Sequence, residues 1–323
     1  MNQLSSDLIE EAAAYLKDKI RNTPLEPSEK LSQIFGGPVF LKLENLQLTG
    51  SFKIRGAFFR LSKLTEKEKA KGVITCSAGN HGKAVSYVAK LLKIPATIFV
   101  PKNVDQSKFD AMEMLGAEVI VSPHNGYADT ALMAKEASQK SGKPYVSAYD
   151  DFYIMAGNGG SLGKEILETL PEAKTFVVPV GGGGLSAGLS YYVKEKNPQA
   201  EIISCMLKDS PALVLSLEKG EAVTSLPSIN TVAGGLEGGL GARPFDILKS
   251  RVDQCSLASE EEIYQAFRWG LENHQYLIEP SGVVTIACAI TKKITINKFP
   301  AVFVISGRNV SLQTIKRILE TTD

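Results

Sequence analysis

Lys53 lies in the stretch Glu44-Asn45-Leu46-Gln47-Leu48-Thr49-Gly50-Ser51-Phe52-Lys53-Ile54-Arg55-Gly56, where a loop turns into a helical pattern. A lysine at such a junction can have its ammonium desolvated near a helix N-terminus. That lowers its pKa and frees the amine to form a Schiff base with a carbonyl. Alone, a lysine at the start of an amphipathic helix is usually a solvated surface charge. Other segments of the chain decide between the two.

Three loops each follow an apolar run and open a helical pattern. In Val178-Pro179-Val180-Gly181-Gly182-Gly183-Gly184-Leu185-Ser186, four glycines let backbone N–H groups converge on an anion at a helix start, which suits a phosphate; a tight structural turn is the other reading. It is not a P-loop, because no Gly-Lys-Ser/Thr follows. It is not a complete dinucleotide fingerprint either, because Glu201 begins the next strand where an acidic residue should close it. Ser77-Ala78-Gly79-Asn80-His81-Gly82 offers hydroxyl, amide and N–H donors suited to a carboxylate and to a ring oxygen, or simply a capped helix. Ser306-Gly307-Arg308-Asn309 places a hydroxyl where it can bond a heteroaromatic nitrogen without charging it, or cap a helix. A reactive amine, a phosphate cradle, a carboxylate clamp and a ring-nitrogen partner together describe one cofactor, pyridoxal phosphate.

These loops need a scaffold, and the chain supplies a recurrent one. Short β-branched runs alternate with helical patterns: 72–76 then 82–93, 96–100 then 105–115, 118–121 then 128–139, and again 175–180 then 185–195, 201–205, and 301–305 then 312–319. This is the rhythm of parallel sheets covered on both faces, with ligands at the carboxyl ends of the strands. Two such blocks imply an α/β fold of two doubly wound open-sheet domains, with residues 143–158 as a crossing between them. The N-terminal 21 residues read as an amphipathic helix and not a signal peptide, and no apolar run approaches the ~18 residues that span a bilayer. With 323 residues, 44% of them hydrophobic, and a net charge of +1, the composition points to small-molecule chemistry and away from nucleic acid or an anionic membrane. Cys76, Cys205, Cys255 and Cys288 show no CxxC pair, and His81, His124 and His274 are too scattered to join them, so free thiols and no metal site are expected. A cytoplasmic protein is expected.

Taken in order, Glu44-Asn45, Ser51-Phe52-Lys53, Ser77 to Gly82, Gly181 to Leu185, Glu279-Pro280-Ser281-Gly282 and Ser306 to Asn309 resemble the fold-type II pyridoxal-phosphate enzymes. The similarity is to the threonine/serine dehydratase and serine racemase branch, with the tryptophan synthase beta subunit-like fold. The resemblance implies a large cofactor-binding domain of residues 1–45 plus 146–323 and a small domain of residues 46–145. It implies Lys53 as the Schiff-base lysine, Phe52 near the ring, and Asn80 at the ring oxygen. Gly181, Gly182, Gly183, Gly184 and Leu185 would form the phosphate loop, with Ser306 at the pyridine nitrogen. Ser77, Ala78, Gly79, Asn80 and His81 would surround the substrate carboxylate, Gly235 would lie by its amine, and Glu279 would support the site. A homodimer is implied as well.

The expected reaction is elimination of water from a β-hydroxy amino acid, L-threonine or L-serine, giving a 2-oxo acid and ammonia. Racemases of this kind carry a serine where this chain has Ala78, which has no proton to give. Departures from the family pattern bear on the substrate: Met206 stands where a cation-anchoring glutamate is usual, and Gly234-Gly235, Gly157-Asn158-Gly159-Gly160 and Arg308 are unusual. They leave room for a 3-hydroxyaspartate or a hydroxyectoine-derived substrate, for racemisation, for β-replacement of the cysteine synthase kind, and for a cofactor-binding protein without turnover.

Overall fold

A computed structural model describes residues 3–321 and contains nine strands among them. They are β1 (Leu25–Pro27), β2 (Val39–Leu43), β3 (Val73–Cys76), β4 (Ala96–Val100), β5 (Glu118–Val121), β6 (Thr175–Pro179), β7 (Glu201–Leu207), β8 (Gln254–Ala258) and β9 (Ala301–Ile305). One sheet has the order β1-β2-β9-β6-β7-β8 and the other the order β3-β4-β5. Every pairing is parallel except that of β1 with β2 at one edge.

Alternation along the strands explains why both faces are covered. In the large sheet Val177, Ile203, Phe303 and Ile305 point to one side, where helices Glu260–His274 and Val284–Ile290 pack. Phe176, Val178, Ile202, Val302 and Val304 point to the other, against helices Ser161–Thr169 and Gly184–Lys196. The small sheet repeats the plan. Val73, Ile98 and Val100 meet helices Lys53–Ser62 and Asn80–Leu92, while Ile74, Cys76 and Phe99 meet helix Tyr127–Ser141. Strands buried on both faces must be apolar throughout, which is why the runs at β3, β4, β6 and β9 are legible without alternation in polarity.

The segment Gly157-Asn158-Gly159-Gly160 is a correction to the sequence reading, which grouped it with pocket residues. It lies in a π-helical turn, Ala156–Gly160, beneath the helix that begins at Lys53. Asn158 is buried and its Oδ1 accepts the Gly56 N–H at 2.8 Å. A Cβ on Gly159 would overlap the Leu185 carbonyl and one on Gly188 would overlap that of Met155, so these glycines let helix Gly184–Lys196 approach backbone to backbone. The four cysteines are free, no described helix is long and apolar enough to cross a membrane, and no group of three or more His, Cys, Asp or Glu among the described residues is arranged to hold a metal. Met206 is buried in the core.

Candidate active site

Lys53 sits at the crossing between the sheets. Ser51 pairs antiparallel with Gly307 just past the end of β9, and the Phe52 N–H donates to the Ser306 carbonyl at 3.2 Å. The next residue begins helix Lys53–Ser62, which packs on the small sheet. The large sheet therefore fixes the lysine's backbone, and the small-sheet unit carries its helix. Its Nζ donates to the Ala148 carbonyl at 2.8 Å and lies 5.1 Å from the centroid of the Phe52 ring. Burial pushes the ammonium down to about 8 against the pull of Glu279. Only the neutral amine is a nucleophile. The rate at which stripped protein captures pyridoxal phosphate is therefore expected to rise roughly tenfold per pH unit below about 8 and to level off above it, measured by stopped-flow absorbance.

The glycine run occupies the turn from β6 into helix Gly184–Lys196. Gly183 has φ +88°, a conformation that favours glycine, and no side chain caps the helix start. A Cβ on Gly182 would overlap the Tyr149 ring, one on Gly181 would lie 2.5 Å from the Gly235 carbonyl, and one on Gly184 would lie 2.9 Å from Tyr149 Cα. Side chains are excluded, and the uncapped N–H groups of a helix N-terminus remain. Ser306, at the end of the neighbouring β9, is buried, and its hydroxyl has no hydrogen-bond partner among the described residues.

Asn80 opens its helix and is held from two sides. Its Nδ2 donates to Glu279 Oε1 at 2.7 Å, and its Oδ1 accepts from Asn309 Nδ2 at 2.6 Å. Glu279 Oε2 also accepts the Asn309 N–H at 3.1 Å, and Lys83 Nζ donates to Asn309 Oδ1 at 2.8 Å. Burial outweighs the Asn80 and Asn309 donors and pushes the Glu279 carboxyl up to about 7. The network orients Asn80 and leaves one hydrogen of its amide for a ligand.

The other residues singled out in sequence fall around this centre. Ser77 is buried with its Oγ accepting the Gly79 N–H at 3.2 Å, Ala78 packs partly on the core, and Gly79 has open space where a side chain would be. His81 turns inward: its Nε2 faces the Val146 carbonyl at 3.3 Å, and burial, with Lys53 nearby, pushes it down to about 3, so the ring is neutral and is no general base near neutral pH. Gly235 is exposed, and its N–H donates to Ser281 Oγ at 2.9 Å. Sequence reasoning missed Ala148, Tyr149, Lys83 and Asn309's side chain. Ala148 and Tyr149 act through a carbonyl and a ring face that no motif announces, whereas Asn309 and Lys83 stood within segments already marked.

Pyridoxal phosphate fits these residues. The cradle has no room for side chains and an uncapped helix start behind it, the hydroxyl of the largely buried Ser306 makes no hydrogen bond among the described residues, and an amine has been brought near neutrality by burial. Comparison with known proteins agrees. The family model described as pyridoxal-phosphate dependent enzyme matches residues 16–307. The L-threonine ammonia-lyase of Thermotoga maritima is 38% identical over 314 residues, 96% of this chain and 77% of that protein. The catabolic L-threonine dehydratase TdcB of Staphylococcus aureus (strain USA300) is 39% identical over 318 residues, 97% of this chain and 91% of that protein. The solved structure of maize serine racemase superimposes with a TM-score of 0.91 at 30% identity, covering 98% of this chain and 97% of that one. Matched by the family model over most of its length and by relatives at 38–39% identity, this chain belongs to the pyridoxal-phosphate dependent enzymes.

Proposed function

We propose that the chain is a dehydratase that converts L-threonine, and L-serine, to a 2-oxo acid and ammonia. The observation that carries this reading is the proton inventory at Lys53. The titratable groups that interact with its amine are Glu279, already engaged by Asn80 and Asn309, and His81, kept neutral by burial. Position 78 is an alanine. Lys53 alone is left free to move a proton, and one base suffices for elimination whereas racemisation needs an acid or base on each face of Cα. The names of the T. maritima and S. aureus relatives support the same substrate.

Bound pyridoxal phosphate supplies an electron-withdrawing ring that delocalises the charge left at Cα. The residues do the rest. Gly181 to Leu185 would hold the phosphate by backbone N–H groups, Ser306 would meet the ring nitrogen with a neutral hydroxyl, Phe52 would pack by the ring, and Asn80 would donate to the ring oxygen. The turn from Ser77 to His81 holds the substrate carboxylate through its donors at a helix start, Gly235 leaves space beside the substrate amine, and Glu279 orients Asn80. Lys53 removes the Cα proton. As the one free proton carrier, Lys53 would return that proton to the departing β-hydroxyl, which leaves as water.

In this reading residues 46–145 form a small domain closing on a large one of residues 1–45 plus 146–323, and the enzyme is a cytoplasmic homodimer, for which light scattering should return twice the chain mass. A panel of β-hydroxy amino acids scored for 2-oxo acid and ammonia tests the activity: L-threonine and L-serine are expected to give both in equal amounts, ahead of 3-hydroxyaspartate and the other threonine diastereomer. No release from either would sink it. Ala78→Ser is expected to add D-serine formation from L-serine, read by chiral chromatography, where the unaltered enzyme forms none.

A further inference from the structure

One of the two passages of the chain between the sheets, from β5 to β6, runs through a short strut. Pro144 to Val146 extend the small sheet beyond β3: the Ile74 N–H donates to the Pro144 carbonyl at 2.9 Å, and the Val146 N–H donates to the Ile74 carbonyl at 2.8 Å. Two residues on, the Ala148 carbonyl accepts from Lys53 Nζ at 2.8 Å. The next residue, Tyr149, lays its ring where a Gly182 side chain would be and its backbone against Gly184. Its phenol lies in one electrostatic cluster with those of Tyr127 and Tyr145, all three raised by burial. Tyr127 and Tyr145 pack beside Ile74, Cys76 and Phe99 of the small sheet. Thus one residue touches the glycine cradle with its ring, adjoins the carbonyl that holds the free lysine, and adds its phenol to a tyrosine cluster of the unit that carries the Ser77 turn.

We propose that Tyr149 is a positioning residue that couples the glycine cradle and Lys53 to the small-sheet unit. The ring shapes the cradle, and the strut with its tyrosine cluster transmits the cradle's occupancy to the small sheet. When the Lys53 amine is committed to the cofactor it no longer bonds the Ala148 carbonyl, and the strut is free to shift with the sheet it extends. The two functions separate by substitution: Tyr149→Ala removes both, Tyr149→Phe removes only the hydroxyl, and Tyr127→Phe alters the same tyrosine cluster at a distance from the cradle.

The test titrates pyridoxal phosphate into protein stripped of cofactor, followed by absorbance, and compares hydrogen–deuterium exchange at Val73–Cys76 and at helix Tyr127–Ser141 with and without cofactor. Cofactor is expected to protect both segments in the unaltered protein. Tyr149→Ala should weaken cofactor binding roughly tenfold or more, and Tyr149→Phe should restore it to within about threefold. Tyr149→Phe and Tyr127→Phe should each lose the cofactor-induced protection while still binding cofactor, and the double variant should be no worse than either. Unchanged binding in Tyr149→Ala, or full protection retained in the Phe variants, overturns the proposal. So does an unaltered protein that gains no protection.

Discussion

Lys53→Ala is expected to lower turnover roughly 10⁴-fold and to abolish the visible absorption band of the loaded protein. Two losses combine in one residue, since the same amine anchors the cofactor and moves the Cα proton, and neither Glu279 nor His81 is free to replace it. Lys53→Arg should rescue nothing, because a guanidinium stays protonated where an amine near 8 does not. Added ethylamine should restore part of the rate in Lys53→Ala but not in Lys53→Arg, since only the former leaves a space for it. The thermal midpoint of cofactor-free Lys53→Ala should not fall below that of cofactor-free unaltered protein. The folded pKa of Lys53 lies below its unfolded value, so below about 8 the buried ammonium opposes folding, and that opposition is relieved as pH rises toward 10.5. A variant that keeps more than a tenth of the rate would exclude Lys53 from both roles.

The chemistry was legible in the sequence where it is local. Lys53, the glycine run and the Ser77 turn each sit within a few residues at the end of a strand, and the strands that precede the glycine run and the turn are buried on both faces and read as plain apolar runs. Three strands were not legible. β1 has only three residues and exists through its pairing with β2. β8 is half-buried with polar residues among its five. β2 carries Lys42 in its interior, which broke the apolar run; the residue is buried because Glu165, 123 positions away, pairs with it at 2.5 Å. Likewise the link from Asn80 to Glu279 spans 199 positions, and Ser147-Ala148-Tyr149 acts by backbone and ring face. What a single chain segment cannot display is which distant partner makes a buried polar group tolerable.

The same principle yields the second large effect, at Arg55, which lies two residues past Lys53 and is buried with Glu44. Its Nε and Nη2 each donate to Glu44 at 2.8 Å, its Nη1 forms an ion pair with Glu165 Oε2 at 2.9 Å, and Nη1 also donates to Ser161 Oγ at 3.4 Å. Glu165 also binds Lys42, which donates to the Thr23 carbonyl at 2.6 Å, while the Thr23 hydroxyl donates to Glu44 at 2.5 Å. Two cations and two carboxylates balance, and every arm is occupied, which is the condition under which buried charge is tolerated. Burial pushes Glu165 up, but Arg55 and Lys42 outweigh it and hold its carboxyl below the usual range. Because that folded pKa is depressed, its contribution is present above the unfolded value and is lost as pH falls through the folded one, so acid unfolding should begin here. Arg55→Ala strands Glu44 without a counter-charge and is expected to cost about 3–5 kcal/mol, seen as a fall in thermal midpoint of about 10 °C. Glu44→Gln should cost less, because the amide stays neutral. Combining it with Arg55→Ala should cost little more than Arg55→Ala alone, since the stranded charge is gone. Cofactor affinity should fall with stability, because the network clamps the first turn of the helix that Lys53 begins. Fully additive losses in the double variant would mean that the four charges act separately and that the clamp lies elsewhere.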